Sequence, residues 1–443
     1  MTFSIYLISF LVLISIVVFF HELGHFSFAR FFGVRVLDFS IGFGKSIKSW
    51  ETKSKTIFNL RILPLGGYVK MNDEEDFDES KNSDSYSAKY YHQKLLITLG
   101  GPIFNFILAL LIFFVINIVG TYKTIPIVGD IIPNSAAFFE GIKKGDLISR
   151  IDDSEISYFS EAQLALSKRL GESGNIEIYV LRNGNSLKFE LPIQDWLSAK
   201  EPSNLLYEIG ILPPLEPIVG SVLKSSPAEQ AGIMSGDKIL EINNKKIIYW
   251  SDIKQEIYKS NGEEISFSVL RENKIEKFTI KPSLSENDYE WKIGVSSSFM
   301  LSSQARISAS YSVIDSLKNS FFQTYSVIEN SIIFLLKILN GQVSAKNLGG
   351  PVMIGQYAGE SVIYGGLYSF IYLVAFISIS LGIVNLLPLP ILDGGQALIL
   401  TLEKLIGQNI PTNLLELFSR VSVAILLFIF IFVFFNDIFR ILG

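Results

Sequence analysis

The chain has 443 residues, a formal net charge of −5 and no cysteine. With 49% hydrophobic and only 18% charged residues it is more apolar than a soluble domain, and its length suggests about three units. The acidic balance, with no basic stripe, argues against a nucleic-acid partner, and the missing cysteines exclude disulfides and thiolate metal sites.

The first element is an apolar helix, roughly Ser4 to Phe28, of about spanning length. It lacks a basic n-region and a small-residue cleavage site, so it reads as a retained helix and not a signal peptide. Its uncharged run meets His21-Glu22-Leu23-Gly24-His25 without a break and is apolar again through Phe26, Phe28, Phe31 and Phe32. Ionisable groups at membrane depth are costly and mark functional sites. Positions i and i+4 share one helix face, so His21 and His25 can point at a single ion. In H-E-x-x-H the histidines hold Zn²⁺ and the Glu serves as general base, which puts Glu22 in that role.

The following loop, Arg30 to Lys94, contains eleven Lys and Arg, whereas the first 29 residues contain none. That asymmetry places the loop in the cytoplasm and the N-terminus outside. Within it, Ile41-Gly42-Phe43-Gly44, Ile57 to Ile62 and Pro64 to Lys70 read as a Gly-rich stretch followed by short strands. Asp73 to Glu79 is an acidic run of the kind usually found in solvated loops. His92, among Tyr90, Tyr91 and Lys94, reads as interfacial. A second span is expected at Leu95 to Val119.

The insert that follows, about 121 to 365 and expected outside, contains a duplication. Ile127-Val128-Gly129 repeats as Ile218-Val219-Gly220, and Ser135, Ala137, Gly141-Ile142, Gly145-Asp146, Ile148 and Ile151 repeat as Ser226, Ala228, Gly232-Ile233, Gly236-Asp237, Ile239 and Ile242. Val180-Leu181-Arg182 repeats as Val269-Leu270-Arg271. Two copies of one β-rich unit follow, each with one helix-like stretch, Glu161 to Leu170 and Trp250 to Tyr258. Beyond them, Ser308 to Leu339 has helical apolar spacing with sparse charge and reads as one or two amphipathic helices against the membrane or against the repeats, or as a core helix.

A third span is expected at about Leu367 to Leu387 and a fourth, with uncertain ends, around Val421 to Phe435. A catalytic zinc takes three protein ligands. Asp393, in the run Asn385 to Gly395, is the best third ligand. Loop charge brings it to the leaflet of His21 and His25, and Pro388 and Pro390 break the helix so that it can turn inward.

The repeat pattern S-x-A…G-I-x-x-G-D-x-I-x-x-I resembles a PDZ domain of the bacterial protease type. Together with His21 to His25, Gly100 to Phe106, Leu348 to Val352 and Asn385 to Gly395, it makes nearly the whole chain similar to the site-2 protease family. The resemblance implies a polytopic α-helical membrane protein with four transmembrane helices, a membrane-associated β-loop region and two inserted PDZ domains, each a β-sandwich with helices. It implies intramembrane cleavage of single-pass membrane proteins, anti-sigma factors among them, after an earlier cut outside. It implies one Zn²⁺ per chain, bound by His21, His25 and Asp393, with Glu22 as base. Gly42, Phe43 and Gly44 would belong to a membrane-dipping β-loop, and Asn385, Pro388 and Pro390 would hold the substrate strand. The protein would sit in a bacterial inner membrane, PDZ units periplasmic and active site toward the cytoplasm. Its partners would be its substrates, the bilayer and peptides or proteins bound by the PDZ units, which the family uses as a size filter. The first repeat departs mildly, with Ala136 and Glu140 where the second has Pro227 and Ala231.

The expected segments are 1–120 (core, first part), 121–200 and 205–288 (PDZ domains), 300–345 (amphipathic helix) and 346–443 (core, second part). Two rivals are a catalytically inactive PDZ-bearing scaffold and a metal transporter. The second is disfavoured because the second and fourth spans offer little polar lining beyond Asn105 and Asn117.

Overall fold

The structure, a computed structural model, describes residues 2–73, 84–198, 204–285, 289–298 and 300–442. Beyond Asp73, the acidic run lies outside these residues. The chain forms two units, one of residues 1–120 with 310–443 and one of residues 121–309.

The first unit begins with α1 (Thr2–Phe31), a hairpin of β1 (Val36–Glu51) and β2 (Ile57–Met71), α2 (Tyr91–Thr98) and α3 (Gly100–Val119). The short strands expected at Ile57 to Ile62 and Pro64 to Lys70 run together as β2, and each half pairs antiparallel with residues 38–41 of β1, so that Ile41 lies between Leu60 and Gly67. The second span starts later than expected: Leu99 separates α2 from α3. α1 and α3 then cross where neither carries a side chain. A Cβ on Gly24 would lie 2.0 Å from the Gly100 carbonyl oxygen, the close backbone approach that small residues permit between membrane helices.

The second unit comprises β3 (Thr121–Thr124), β4 (Asp130–Ile131), α4 (Ala136–Glu140), β5 (Leu147–Ile151), β6 (Ser154–Glu155), α5 (Phe159–Ser167), β7 (Gly174–Arg182) and β8 (Asn185–Ile193). It continues with α6 (Leu205–Glu208), β9 (Ile211–Leu212), β10 (Val219–Val222), α7 (Pro227–Ala231), β11 (Lys238–Ile242), β12 (Lys245–Lys246), α8 (Trp250–Lys259), β13 (Ile265–Arg271) and β14 (Lys274–Ile280). It ends with β15 (Ser283–Leu284), β16 (Trp291–Lys292), β17 (Val295–Ser297) and β18 (Arg306–Ala309).

The duplication is visible in strand order: β6-β5-β7-β8 in one sheet and β12-β11-β13-β14 in the other. The repeated Gly-Asp and Val-Leu-Arg segments turn out to be one interaction. Arg182 Nε donates to Asp146 at 2.6 Å and Arg271 Nε to Asp237 at 2.7 Å, and each guanidinium also reaches the carbonyl of the helix-ending glycine, Gly141 or Gly232. α4 and α7 form alike, each capped by a serine hydroxyl, so the departures at Ala136 and Glu140 leave this element intact. Two pairings cross the expected boundaries. β4 pairs with β9 past residue 200, and β10 pairs with β17 past residue 288. β3 pairs with β18 and draws residues 306–309 into this unit.

The chain then returns to the first unit as α9 (Val313–Leu339), α10 (Pro351–Asn385), α11 (Asp393–Ile406) and α12 (Thr412–Leu442). Among the described residues four helices are long and apolar enough to cross a membrane, at 4–31, 100–119, 365–385 and 412–440. α10 carries one non-helical residue, Gly366, where its spanning part begins.

Of the readings open for this segment, α9 fits the core helix and not a helix laid on the membrane or the repeats. Ser316, Ser320 and Thr324 are buried, and Val327, Ile328 and Leu335 pack with Ala109, Phe113, Ala375 and Ile379 of α3 and α10. Phe321 and Phe322 are 62% and 67% exposed. In the first half of α9 the small polar residues face protein and the phenylalanines face outward, and in its second half apolar residues pack inward; small residues let helices approach closely. Asn117 on α3 donates to Gln323 on α9, so this polar residue serves packing.

Candidate metal centre

Two turns of α1 present His21 and His25, with Glu22 beside them. His21 and Glu22 are buried. The α10–α11 connection supplies Asp393, whose position follows from the prolines: helix α10 stops at Asn385, Leu389 and Leu392 close tight turns, and α11 restarts at Asp393. Gln396 Nε2 donates to the Pro390 carbonyl at 2.6 Å and pins the turn. A Cβ on Gly394 would lie 2.2 Å from the Leu386 carbonyl oxygen, so the connection folds closely over the start of α11.

These elements bring three donor atoms together. His21 Nε2 lies 3.3 Å from His25 Nε2, and Asp393 Oδ2 lies 3.3 Å from the first and 3.5 Å from the second. A tetrahedral zinc with ligands at about 2.0–2.1 Å spaces them about 3.3 Å apart. Asp393 Oδ2 is buried with no well-formed hydrogen bond, an orphaned acceptor that a cation would satisfy. Among the described residues no other set of three or more His, Asp or Glu side chains converges in this way. As a carboxylate, Asp393 supplies the anionic oxygen that such a site needs beside two neutral imidazoles.

The outer contacts aim the imidazoles. His25 Nδ1 lies 2.9 Å from the Ile97 carbonyl oxygen, to which it donates, leaving the Nε2 lone pair facing the triad. His21 Nδ1 lies 3.2 Å from the Asn105 amide nitrogen, while Asn105 Oδ1 is buried without a partner. A half-turn of that amide, which exchanges N and O, presents the oxygen to a protonated Nδ1 and frees Nε2 to ligate. Asn105 itself is held by its α3 backbone, whose carbonyl accepts from Ser378 Oγ of α10 at 2.9 Å. A Cβ on Gly101 would lie 2.4 Å from the His21 ring and 2.5 Å from His25 Nε2, so only glycine leaves this cradle open.

Sequence reading missed Ile97, Gly101 and Asn105 as parts of the site. An Asn in an apolar span is a signal for Asn105, although Asn117 gives the same signal and meets Gln323 instead; a backbone carbonyl leaves none.

The hairpin closes over Glu22. A Cβ on Gly67 would lie 2.7 Å from Glu22 Cγ and equally near the Ser40 carbonyl oxygen. Gly67 pairs with Ile41, which leads directly into Gly42-Phe43-Gly44. Both these glycines have positive φ, and the turn they make leaves Phe43 47% exposed. Asn385 closes α10, Pro388 is exposed and Pro390 half-buried, all on the connection that leads to Asp393. His92 is exposed and stacked on Tyr90, away from the triad.

A model of peptidase family M50 matches residues 9–429 of this chain. The chain is 33% identical over 441 residues to the regulator of sigma E protease of Haemophilus influenzae, with 98% of each covered. It is 31% identical over 445 residues to protease RseP of Yersinia pestis and 30% identical over 447 residues to a candidate zinc metalloprotease of Vibrio cholerae, again with 98% of each covered. Among solved structures, a PDZ domain from Listeria monocytogenes covers 20% of the chain at 20% identity with a TM-score of 0.18, at which no likeness of fold follows.

Proposed function

The chain belongs to peptidase family M50, a zinc metalloprotease of the site-2 type, and on that footing we propose that it cleaves the transmembrane segments of single-pass membrane proteins, anti-sigma factors among them, after an earlier cut outside. The observation that carries this reading is the convergence of His21, His25 and Asp393 within 3.5 Å, beside buried Glu22, in a helix of spanning length.

His21, His25 and Asp393 would hold one zinc ion per chain, which supplies Lewis acidity toward the scissile carbonyl and acidifies water. Glu22 accepts the proton of the attacking water and returns it to the leaving nitrogen. Its burial under the hairpin at Gly67 shields that transfer from bulk solvent. A helical substrate hides its backbone in hydrogen bonds and must unwind to be cut. Gly42, Phe43 and Gly44 on the hairpin would meet the unwound strand, and Asn385, Pro388 and Pro390 would hold it.

The eleven basic residues from Arg30 to Lys94 orient the chain with this loop and the active site toward the cytoplasm. The repeats then lie on the extracytoplasmic side of a bacterial inner membrane, and we read them as two PDZ domains available for peptide or partner contact. The test is mass spectrometry of membrane stubs in cells carrying Glu22→Gln. Stubs that accumulate with the variant support the reading, and unchanged processing overturns it in favour of an inactive scaffold.

A further inference from the structure

α2 and α11 meet in a second polar cleft of about 320 Å³, separate from the metal centre. Lys89, Tyr91 and Lys94 line one side; Glu403, Lys404 and Gln408 line the other. Tyr91 Oη and Thr401 Oγ1, 3.0 Å apart, join the two helices. Lys94 and Lys404 thus line it from the two sides with a single carboxylate, Glu403, which already accepts from the Ile410 amide at 3.0 Å, while the Lys94 ammonium also lies over the Tyr86 ring. The cleft lies where membrane helices begin and end: α2 runs into the span at 100–119, and α11 follows the span that ends at 385. Basic clefts at that depth suit anionic headgroups.

α11 also decides between a lipid and a free anion. Leu398, Leu402 and Leu405, spaced four and three residues apart, are all exposed and form one apolar stripe beside Lys404. An interfacial helix built this way rests its leucines on acyl chains and its lysines among phosphates. A soluble phosphate would use the lysines and leave the stripe without a role. We propose that the α2–α11 cleft binds the phosphate of an anionic phospholipid headgroup. The position carries a consequence. α2 bears the Ile97 carbonyl that aims His25, and α11 opens with Asp393, so a headgroup spanning the cleft braces two helices that shape the metal centre.

The test is native mass spectrometry of the full chain released from phosphatidylcholine nanodiscs containing roughly one-third phosphatidylglycerol. The wild type should retain phosphatidylglycerol, and the Lys94→Gln/Lys404→Gln double variant should retain at least about fivefold less. Arginine at both positions should restore retention, and the Lys45→Gln/Lys48→Gln double variant, with the same loss of charge on β1, should keep it. Undiminished retention in the first double variant, or an equal fall in the second, overturns the proposal. So does displacement of the lipid by millimolar inorganic phosphate, which would assign the cleft to a soluble anion. If the first double variant does not fold, Lys404→Gln alone, at an exposed side chain, carries the same test with a fall of about twofold.

Discussion

Asn105 stands 3.2 Å from Nδ1 of His21, on a different helix and 84 residues away. This contact chooses the His21 tautomer and so decides whether Nε2, the ring nitrogen that faces Asp393, carries a lone pair. Asn105→Leu removes the amide and keeps its bulk. Outer partners of ligating histidines typically govern metal affinity by about 10–100-fold, so zinc retention against a chelator should weaken by that factor while the chain still folds. Unchanged retention would show that the ring is aimed by packing alone.

Asp437 is buried near the end of α12 and accepts three backbone N–H groups at the start of α10, from Gly350, Val352 and Met353, each at 3.0 Å. It caps a helix from another helix, satisfying donors that every helix N-terminus leaves open. Asp437→Ala should cost about 1–3 kcal/mol locally. Hydrogen exchange at residues 350–353 should accelerate; exchange at wild-type rates would mean that water serves these amides equally well.

The Arg271–Asp237 pair recurs as Arg182–Asp146, and both aspartates are 1% exposed. Arg271→Ala leaves the buried Asp237 carboxylate with the Met234 amide but without its cation, at a cost of about 1–3 kcal/mol. Limited proteolysis should then open the second repeat before the first. Equal resistance of both would show the pair to be dispensable.

Glu216 sets an acid limit on the second unit. Burial raises its carboxyl, but hydrogen bonds from Ser303 and the Lys238 ammonium outweigh burial and leave it below the ordinary value. A carboxyl depressed by folding stabilises the folded state above its unfolded pKa and loses that contribution as pH falls through the folded value. Melting of the full chain should therefore shift down as pH drops below about 4.5, and Glu216→Gln should flatten that limb. An acid limb of the same depth in the variant would place the sensitivity in other carboxyls.

Short-range spacing carried much of this protein. Four residues between His21 and His25 put both on one helix face, because that spacing is close to one helical turn. Loop charge, read with span order, delivered Asp393 to the same leaflet. The repeats were legible because each copy needs the same Gly-Asp turn and the same arginine, although that these form one ion pair was not.

What only the tertiary structure decided depends on contacts between residues far apart in the chain. The Ile97 carbonyl has no side-chain identity to read. Gly101 is a site residue only because two imidazoles approach it. α9 shows the limit most clearly. Its apolar periodicity implies one buried apolar face, yet in its first half Ser316, Ser320 and Thr324 are buried and Phe321 and Phe322 lie outside, while Val327, Ile328 and Leu335 pack inward further along. Periodicity reports that a helix has two faces. Which face turns inward depends on whether the surroundings are water or hydrocarbon, and on the neighbouring helices that only the folded chain supplies.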